Sequence, residues 1–365
     1  MALLSNEKQI DYLADETNVR ILGRTYFHNN ILWMIYSSSG IEFNISSNKL
    51  YISIKGDSAA NVESSEDQIS LARIIVNVNG ERKLDELILH QDQTFKVFDE
   101  PNTIEGVVQV IKISEVAHSI AGIKSITVNS NGKICPTQPK QHRIEFIGDS
   151  ITCGYGIEDL NPLNKFTTKT EDCTKAYAYK TAIALNADFN LVSISGWGVV
   201  SGYTPDPNVK NEIKLIPKYY TKLGFCNNTF EGKCVQDIDW NFKKFIPDVI
   251  VINLGTNDKT YCNGDKTKIE EFVNEYTKFL NVVKDKNPNA YIFCSLGIMG
   301  DQLYSGIENA VKKYKEENKV DNISLVHFDT QLEEDGIAAN KHPSEKTNEK
   351  AAKLLINEIK NKMKW

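Results

Sequence analysis

Arg143-Ile144-Glu145-Phe146-Ile147-Gly148-Asp149-Ser150-Ile151-Thr152-Cys153-Gly154-Tyr155-Gly156 is the stretch on which the fold is read. An apolar, β-prone run ends in Gly-Asp-Ser and then in closely spaced glycines, which places a serine hydroxyl where a strand stops and the backbone turns. Open α/β sheets take their ligands beyond the carboxyl ends of the strands, on loops that the sheet holds rigid. Ser150 is therefore the candidate nucleophile. A serine hydroxyl attacks poorly at neutral pH without a base and without donors for the oxyanion it creates, so its partners have to be sought downstream.

Downstream, strands alternate with helices. Ile144–Ile147, Leu191–Ile194, Val249–Leu254, Tyr291–Ser295 and Leu325–Phe328 read as five strands. Helical periodicity fills the gaps, most clearly over Lys175–Ala187, Lys268–Lys284, Ile307–Glu317 and Asn348–Lys362. Runs rich in Val and Ile suit strands buried on both faces, and helical crossovers imply a mainly parallel sheet. The connection from Val199 to Trp240 is long enough to shape a cleft.

Upstream, from about Tyr26 to Val128, the apolar period is two. Ile41–Ile45, Leu50–Ile54, Ile74–Val78, Val108–Ile113 and Ile126–Val128 read as strands, and Asn79-Gly80 as a tight hairpin turn. Many short strands without a convincing long helix predict an all-β sandwich or jelly roll. Asn129–Gln141, dense in turn formers, reads as a linker, so the expected domains are 1–135 and 136–365.

Three further signals fall at or beyond strand ends. Gly196, in Ser195-Gly196-Trp197-Gly198, lets a backbone N–H approach a ligand. Asn257, in Gly255-Thr256-Asn257-Asp258, brings a carboxamide donor, and His342-Pro343-Ser344 brings an imidazole just ahead of the last helix. Nucleophile, oxyanion donors and general base together form an acyl-transfer set. Asp149 reads as a turn-holding residue, accepting backbone N–H groups. Trp197, Tyr203, Met299 and Tyr304 lie near strand ends, where stacking on sugar rings and burial in a core are both open.

These four blocks, with Gly-Asp-Ser-Ile-Thr-Cys-Gly-Tyr-Gly, His-Pro-Ser and Ser39-Gly40-Ile41-Glu42-Phe43, resemble the SGNH (GDSL-type) hydrolases and, more narrowly, carbohydrate esterase family 2. The resemblance covers nearly the whole chain. It implies an N-terminal jelly roll followed by an SGNH-hydrolase domain with a flavodoxin-like sheet. It further implies removal of O-acetyl groups from plant cell-wall polysaccharides such as xylan and glucomannan, with no metal or organic cofactor. By that likeness Ser150 attacks the acetyl carbonyl, the N–H groups of Ser150 and Gly196 and the side chain of Asn257 hold the oxyanion, and His342 carries the proton. One departure stands out. The superfamily commonly has an Asp three residues before this His, and Ala339 occupies that place. A backbone carbonyl, with that of Asn340 the candidate, would then orient His342 in a Ser-His dyad. Asp329 and Asp335 lie nearby in the chain at spacings that support neither.

Composition narrows the partners. With 42 basic and 48 acidic residues, a net charge of −6 and no long basic cluster, nucleic acid is disfavoured as a partner. No apolar run approaches the roughly 20 residues that span a bilayer, and Met1–Gln9 lacks a signal-peptide core. An acetylated polysaccharide or oligosaccharide is the expected partner, with oligomeric state undetermined. None of the seven cysteines falls in a Cys-x-x-Cys spacing and no close His pair accompanies them, which argues against zinc. Cys226 with Cys234 and Cys153 with Cys173 are spaced for disulfides, and Asn44, Asn227 and Asn322 head glycosylation sequons. Export is the resulting expectation, through a signal outside this sequence, with the cytosol as the alternative. Two other functions fit the same residues: a lipase or thioesterase for longer acyl chains, and a carbohydrate-binding protein with a vestigial site.

Overall fold

In Gly40–Gly56 the buried side chains change phase partway along. Ile41, Phe43 and Ile45 point inward at odd positions, then Leu50, Ile52 and Ile54 at even ones. A strict period of two cannot make that change without an extra residue, and the pairing with the 21-residue strand Asp92–Lys112 slips between Ser47 and Tyr51. The two runs that read as separate strands are therefore one 17-residue strand whose pairing register shifts partway along.

The computed structural model describes residues 8–61 and 70–365. The expectation about Met1–Gln9 falls mostly outside them. The chain divides into two units. One comprises the chain as far as Pro139 together with Cys226–Val235, and the other Lys140–Phe225 with Gln236–Trp365.

In the first unit, ten strands among the described residues pair into one continuous antiparallel sheet. Different parts of Gly40–Gly56 pair with Asp92–Lys112, Ala121–Asn129, Arg20–Leu22 and Lys133–Pro136. The sheet therefore curls over a core that includes Phe43, Ile52, Ile74, Val110 and Ile126. Asn79 and Gly80 take φ of 53° and 81°, the left-handed conformation a two-residue hairpin needs, between Arg73–Val78 and Glu81–Leu87. The segment read as a linker contains a strand. Lys133–Pro136 pairs with Phe43–Ser46, and with Ile134 as its one large aliphatic residue it carries no periodic signal. The insertion after Val199 contributes Phe230, whose ring meets Trp33 at 4.9 Å between centroids.

The second unit holds five parallel strands: β1 (His142–Gly148), β2 (Ala187–Ser193), β3 (Val249–Asn253), β4 (Tyr291–Ile298) and β5 (Ile323–Thr330). Their order is β2-β1-β3-β4-β5, the flavodoxin-like arrangement, whose ligand crevice opens where the winding reverses, between β1 and β3. All five residues of β3 are buried, as a central strand covered on both faces requires. Helices α1 (Ser150–Cys153), α2 (Tyr177–Ala184), α3 (Asp258–Cys262), α4 (Lys266–Lys286), α5 (Tyr304–Asn318) and α6 (Glu345–Met363) follow or connect the strands. Among them, α2 packs with α6, and α4 with α5.

The expected disulfides are not formed, and all seven cysteines stand as thiols. Cys153 donates to Ser193 Oγ at 3.2 Å. Burial pushes the Cys226 thiol up to about 12, with the Asp57 carboxylate nearby adding to the shift. Chain spacing had suggested the clips, but each sulfur is placed by its own packing.

Candidate active site

Ser150 opens α1 directly beyond β1, and Asp149 caps that turn by accepting from the Ile151 N–H at 3.0 Å. Asn257 follows β3 and heads α3. These are the two strands that flank the winding reversal, so the serine and the carboxamide come to the same crevice although they lie far apart in the chain. Gly196 lies three residues beyond β2, at φ 79°, and a Cβ added there would meet nothing within 4 Å. The residue is glycine because of its backbone angle, and it faces open space.

His342 arrives from the other end of the sheet on a short hairpin. Ile337–Ala338 pairs with His342–Pro343, and the turn between them holds Asn340 and Lys341 at φ 54° and 62°. Ser344 ties the hairpin to α6 by accepting from the Thr347 N–H and donating to the Asp335 carbonyl at 2.7 Å. The His342 Nε2 then lies 2.9 Å from Ser150 Oγ, and its Nδ1 lies 3.2 Å from the backbone carbonyl oxygen of Asn340. A carbonyl can only accept, so Nδ1 carries the hydrogen and Nε2 presents its lone pair to the serine hydroxyl. That is the tautomer a general base requires. Asp335 is engaged elsewhere, pairing with Lys350 at 2.5 Å and Lys346 at 2.9 Å.

A second cluster supports the amide side. The Asn257 Nδ2 donates to the Trp197 carbonyl at 2.8 Å and to Asp149 Oδ2 at 3.2 Å. Burial, reinforced by the Asp258 charge, pushes the Asp149 carboxyl up to about 7, against the lowering effect of the Ile151 N–H. Asp258 is fully buried and accepts from the N–H groups of Val199, Val200 and Ser201 at 2.7–3.1 Å. Burial pushes it up to about 6, with those three donors holding it back. The strand-end loop that carries Gly196 is thus tied to α3 by a carboxylate.

The structure therefore brings Ser150, His342 and the Asn340 carbonyl into direct contact, and sets Asn257 on a support shared with Trp197 and Asp149. Trp197 is buried against Tyr219 and Phe225, whereas Tyr203 is 55% exposed and its N–H donates to the Gly196 carbonyl. Sequence reasoning missed Tyr155, whose ring lies on that of His342 at 4.1 Å between centroids. The flanking glycines of Gly154-Tyr155-Gly156 were the available signal.

The family model described as GDSL-like lipase/acylhydrolase matches residues 144–355. The chain belongs to that family. Among curated relatives, this family member is 34% identical over 233 residues to the cellulase/esterase CelE of Acetivibrio thermocellus. That alignment covers 62% of this chain and 26% of CelE, so the chain spans about a quarter of that relative's length. An acetylxylan esterase/glucomannan deacetylase of Cellvibrio japonicus is 26% identical over 278 residues, covering 75% of this chain and 72% of that protein. Among solved structures, a family two carbohydrate esterase from Clostridium thermocellum in complex with cellohexaose superposes with a TM-score of 0.79 at 28% identity. It covers 95% of this chain and 99% of that one.

Proposed function

We propose that this protein is a serine esterase that removes O-acetyl groups from plant cell-wall polysaccharides such as xylan and glucomannan. The observation that carries the reading is the 2.9 Å approach of His342 Nε2 to Ser150 Oγ, in the tautomer set by the Asn340 carbonyl. The names of the curated relatives above support the acetyl and polysaccharide parts of it.

In this reading Ser150 Oγ attacks the acetyl carbonyl carbon while its proton passes to Nε2. The N–H groups of Ser150 and Gly196 and one hydrogen of the Asn257 amide receive the oxyanion. The longer Asn257 bond, the 3.2 Å contact to Asp149, is the one that yields to it. The imidazolium protonates the departing sugar oxygen, and water admitted to the same place releases acetate by the reverse sequence. The chemistry is assigned to residues 136–365, and a jelly-roll sandwich over 1–135 is assigned a supporting part. The substrate is an acetylated polysaccharide or oligosaccharide met outside the cell, and none of the steps calls on a metal or organic cofactor.

Ser150→Ala is expected to abolish release of 4-nitrophenol from its acetate ester, with circular dichroism unchanged; retained turnover would remove Ser150 as nucleophile. One observation favours a second reading. Leu160 and Leu163 are 66% and 85% exposed, on a loop whose Asp159 and Asn164 carbonyls accept from the Ala339 and Asn340 N–H groups beside His342. Such apolar surface suits a longer acyl chain. Acetate esters turning over faster than octanoate esters would retain the deacetylase assignment, and the opposite order would favour the lipase.

A further inference from the structure

We propose that Tyr155 is the positioning residue for His342, taking over with its ring the work that a carboxylate does in a Ser-His-Asp triad. The inference rests on the Ser150–His342 reading above and adds to it the group that holds the imidazole.

Four observations converge on this ring. Tyr155 stacks on His342 with centroids 4.1 Å apart and planes inclined by 30°. Its other neighbour, Phe166, is stacked at 4.0 Å and 17°, which restrains Tyr155 from sliding. The Tyr155 hydroxyl oxygen accepts from the Asn340 side-chain amide at 3.2 Å, while the Asn340 backbone carbonyl meets His342 Nδ1 at 3.2 Å. One tyrosine therefore touches both the imidazole and the residue that sets its tautomer. Finally, Asn340 and Lys341 are two consecutive non-glycine residues in the left-handed region, a turn that needs outside restraint.

The chain is shaped to deliver this side chain. Gly154 and Gly156 take φ of 76° and 60°, so Tyr155 is carried on a turn that L-residues on either side would strain. A Cβ at position 156 would lie 2.8 Å from the Ala339 Cβ, so the glycine also lets the nucleophile loop close against the hairpin that presents His342. Ala339 is where the superfamily commonly places the carboxylate, and the ring lies beside that hairpin.

An aromatic face does two things for an imidazole that must gain and lose a proton. It fixes the ring plane by contact area, and its negative face favours the protonated state over an empty or aliphatic neighbour. A carboxylate would also stabilise the cation, but its pull would be much stronger. The ring therefore supports orientation with a modest electrostatic bias, which suits a base that hands its proton on to an alcohol.

The test uses the full chain and a fluorophosphonate probe, whose reaction makes no assumption about acyl length or sugar. Ser150 Oγ forms the P–O bond, fluoride leaves with the P–F electrons, and the serine proton passes to His342. Tyr155→Leu is expected to slow labelling by about ten- to a hundredfold and to lower kcat for 4-nitrophenyl acetate similarly, with KM within about twofold. Tyr155→Phe, which keeps the ring and loses the hydroxyl, is expected to label within about threefold of the parent. Tyr155→Met is run alongside as an adaptable filler of similar reach, so that a folding failure of the leucine variant leaves a readable pair. Labelling of either aliphatic variant at the parental rate, or a loss in Tyr155→Phe as large as in the aliphatic ones, would overturn the inference. If the parent itself fails to label while acetate release persists, the Ser150–His342 reading falls instead.

Discussion

On the amide side of Ser150 the supports are dry and carboxylate-based: Asp149 and Asp258 are fully buried, Asn257 is 7% exposed, and three consecutive N–H groups converge on Asp258. On the imidazole side His342 is half-buried on a seven-residue hairpin, held against a carbonyl and an aromatic ring. The contrast follows from what each flank has to do. Donors aimed at a developing oxyanion act best when fixed in advance in a medium without competing water. A base has to take up a proton and give it away beside an arriving alcohol or water, so a partly solvated setting with a weaker electrostatic hold serves it better.

The sharpest way to break that comparison is Asn257→Ala. It removes the proposed oxyanion donor and is expected to lower kcat by roughly 10² to 10³ with KM little changed. A change confined to KM, measured on 4-nitrophenyl acetate, would make the amide side a binding surface and dissolve the contrast.

A medium-sized effect should appear in stability. The Asp149 carboxyl is raised from 3.8 to about 7 in the fold, so the native state holds a proton that the unfolded chain has released between roughly pH 4 and 7. This group's contribution to unfolding free energy therefore falls as pH rises through that window, by at most about 1.4 kcal/mol per pH unit. Asp149→Asn should remove that slope. Asp258, raised to about 6, still titrates in the variant, so urea midpoints between pH 6 and 7 isolate the difference best. Parallel midpoint profiles for the two proteins would show that the amide side does not carry an easily protonated carboxyl.

The smallest effect is expected at Asn340→Gly. The contact with His342 comes from the backbone carbonyl, and glycine accepts φ 54° without strain. Turnover should stay within about twofold of the parent. A tenfold loss would mean that the Asn340 side chain, through Tyr155, is the true orienter, and would move weight from ring to amide.

The parallel sheet was legible because its inner strands are largely apolar and buried on both faces, and such runs announce themselves whatever surrounds them. Val249–Asn253 is the clearest case. Gly40–Gly56 was legible as strand but not as one strand, since the apolar phase reverses where the pairing register shifts, which looks, along the chain, like a break. Lys133–Pro136 was missed because it gains its place from its partner Phe43–Ser46 and not from its own composition. The candidate site divides the same way. Ser150, Gly196, Asn257 and His342 could be singled out because each falls at or beyond a strand end and carries chemistry that a loop seldom needs. Tyr155, Asp258 and the Trp197 carbonyl were not, since an aromatic, an acid and a backbone oxygen are ordinary at any position until their neighbours are known.

The amino-acid order alone determined the period of each element, the strand ends at which loops open and the identity of the polar groups placed there, because these are local properties of neighbouring residues. Folding in three dimensions decided which of those groups meet. The 192 positions that separate Ser150 from His342 along the chain are spanned by strands and crossovers whose geometry sets a 2.9 Å contact, and the sulfurs that chain spacing had paired ended as separate thiols. Distances across a packed structure depend on every side chain in between, and no short stretch of the chain contains that information.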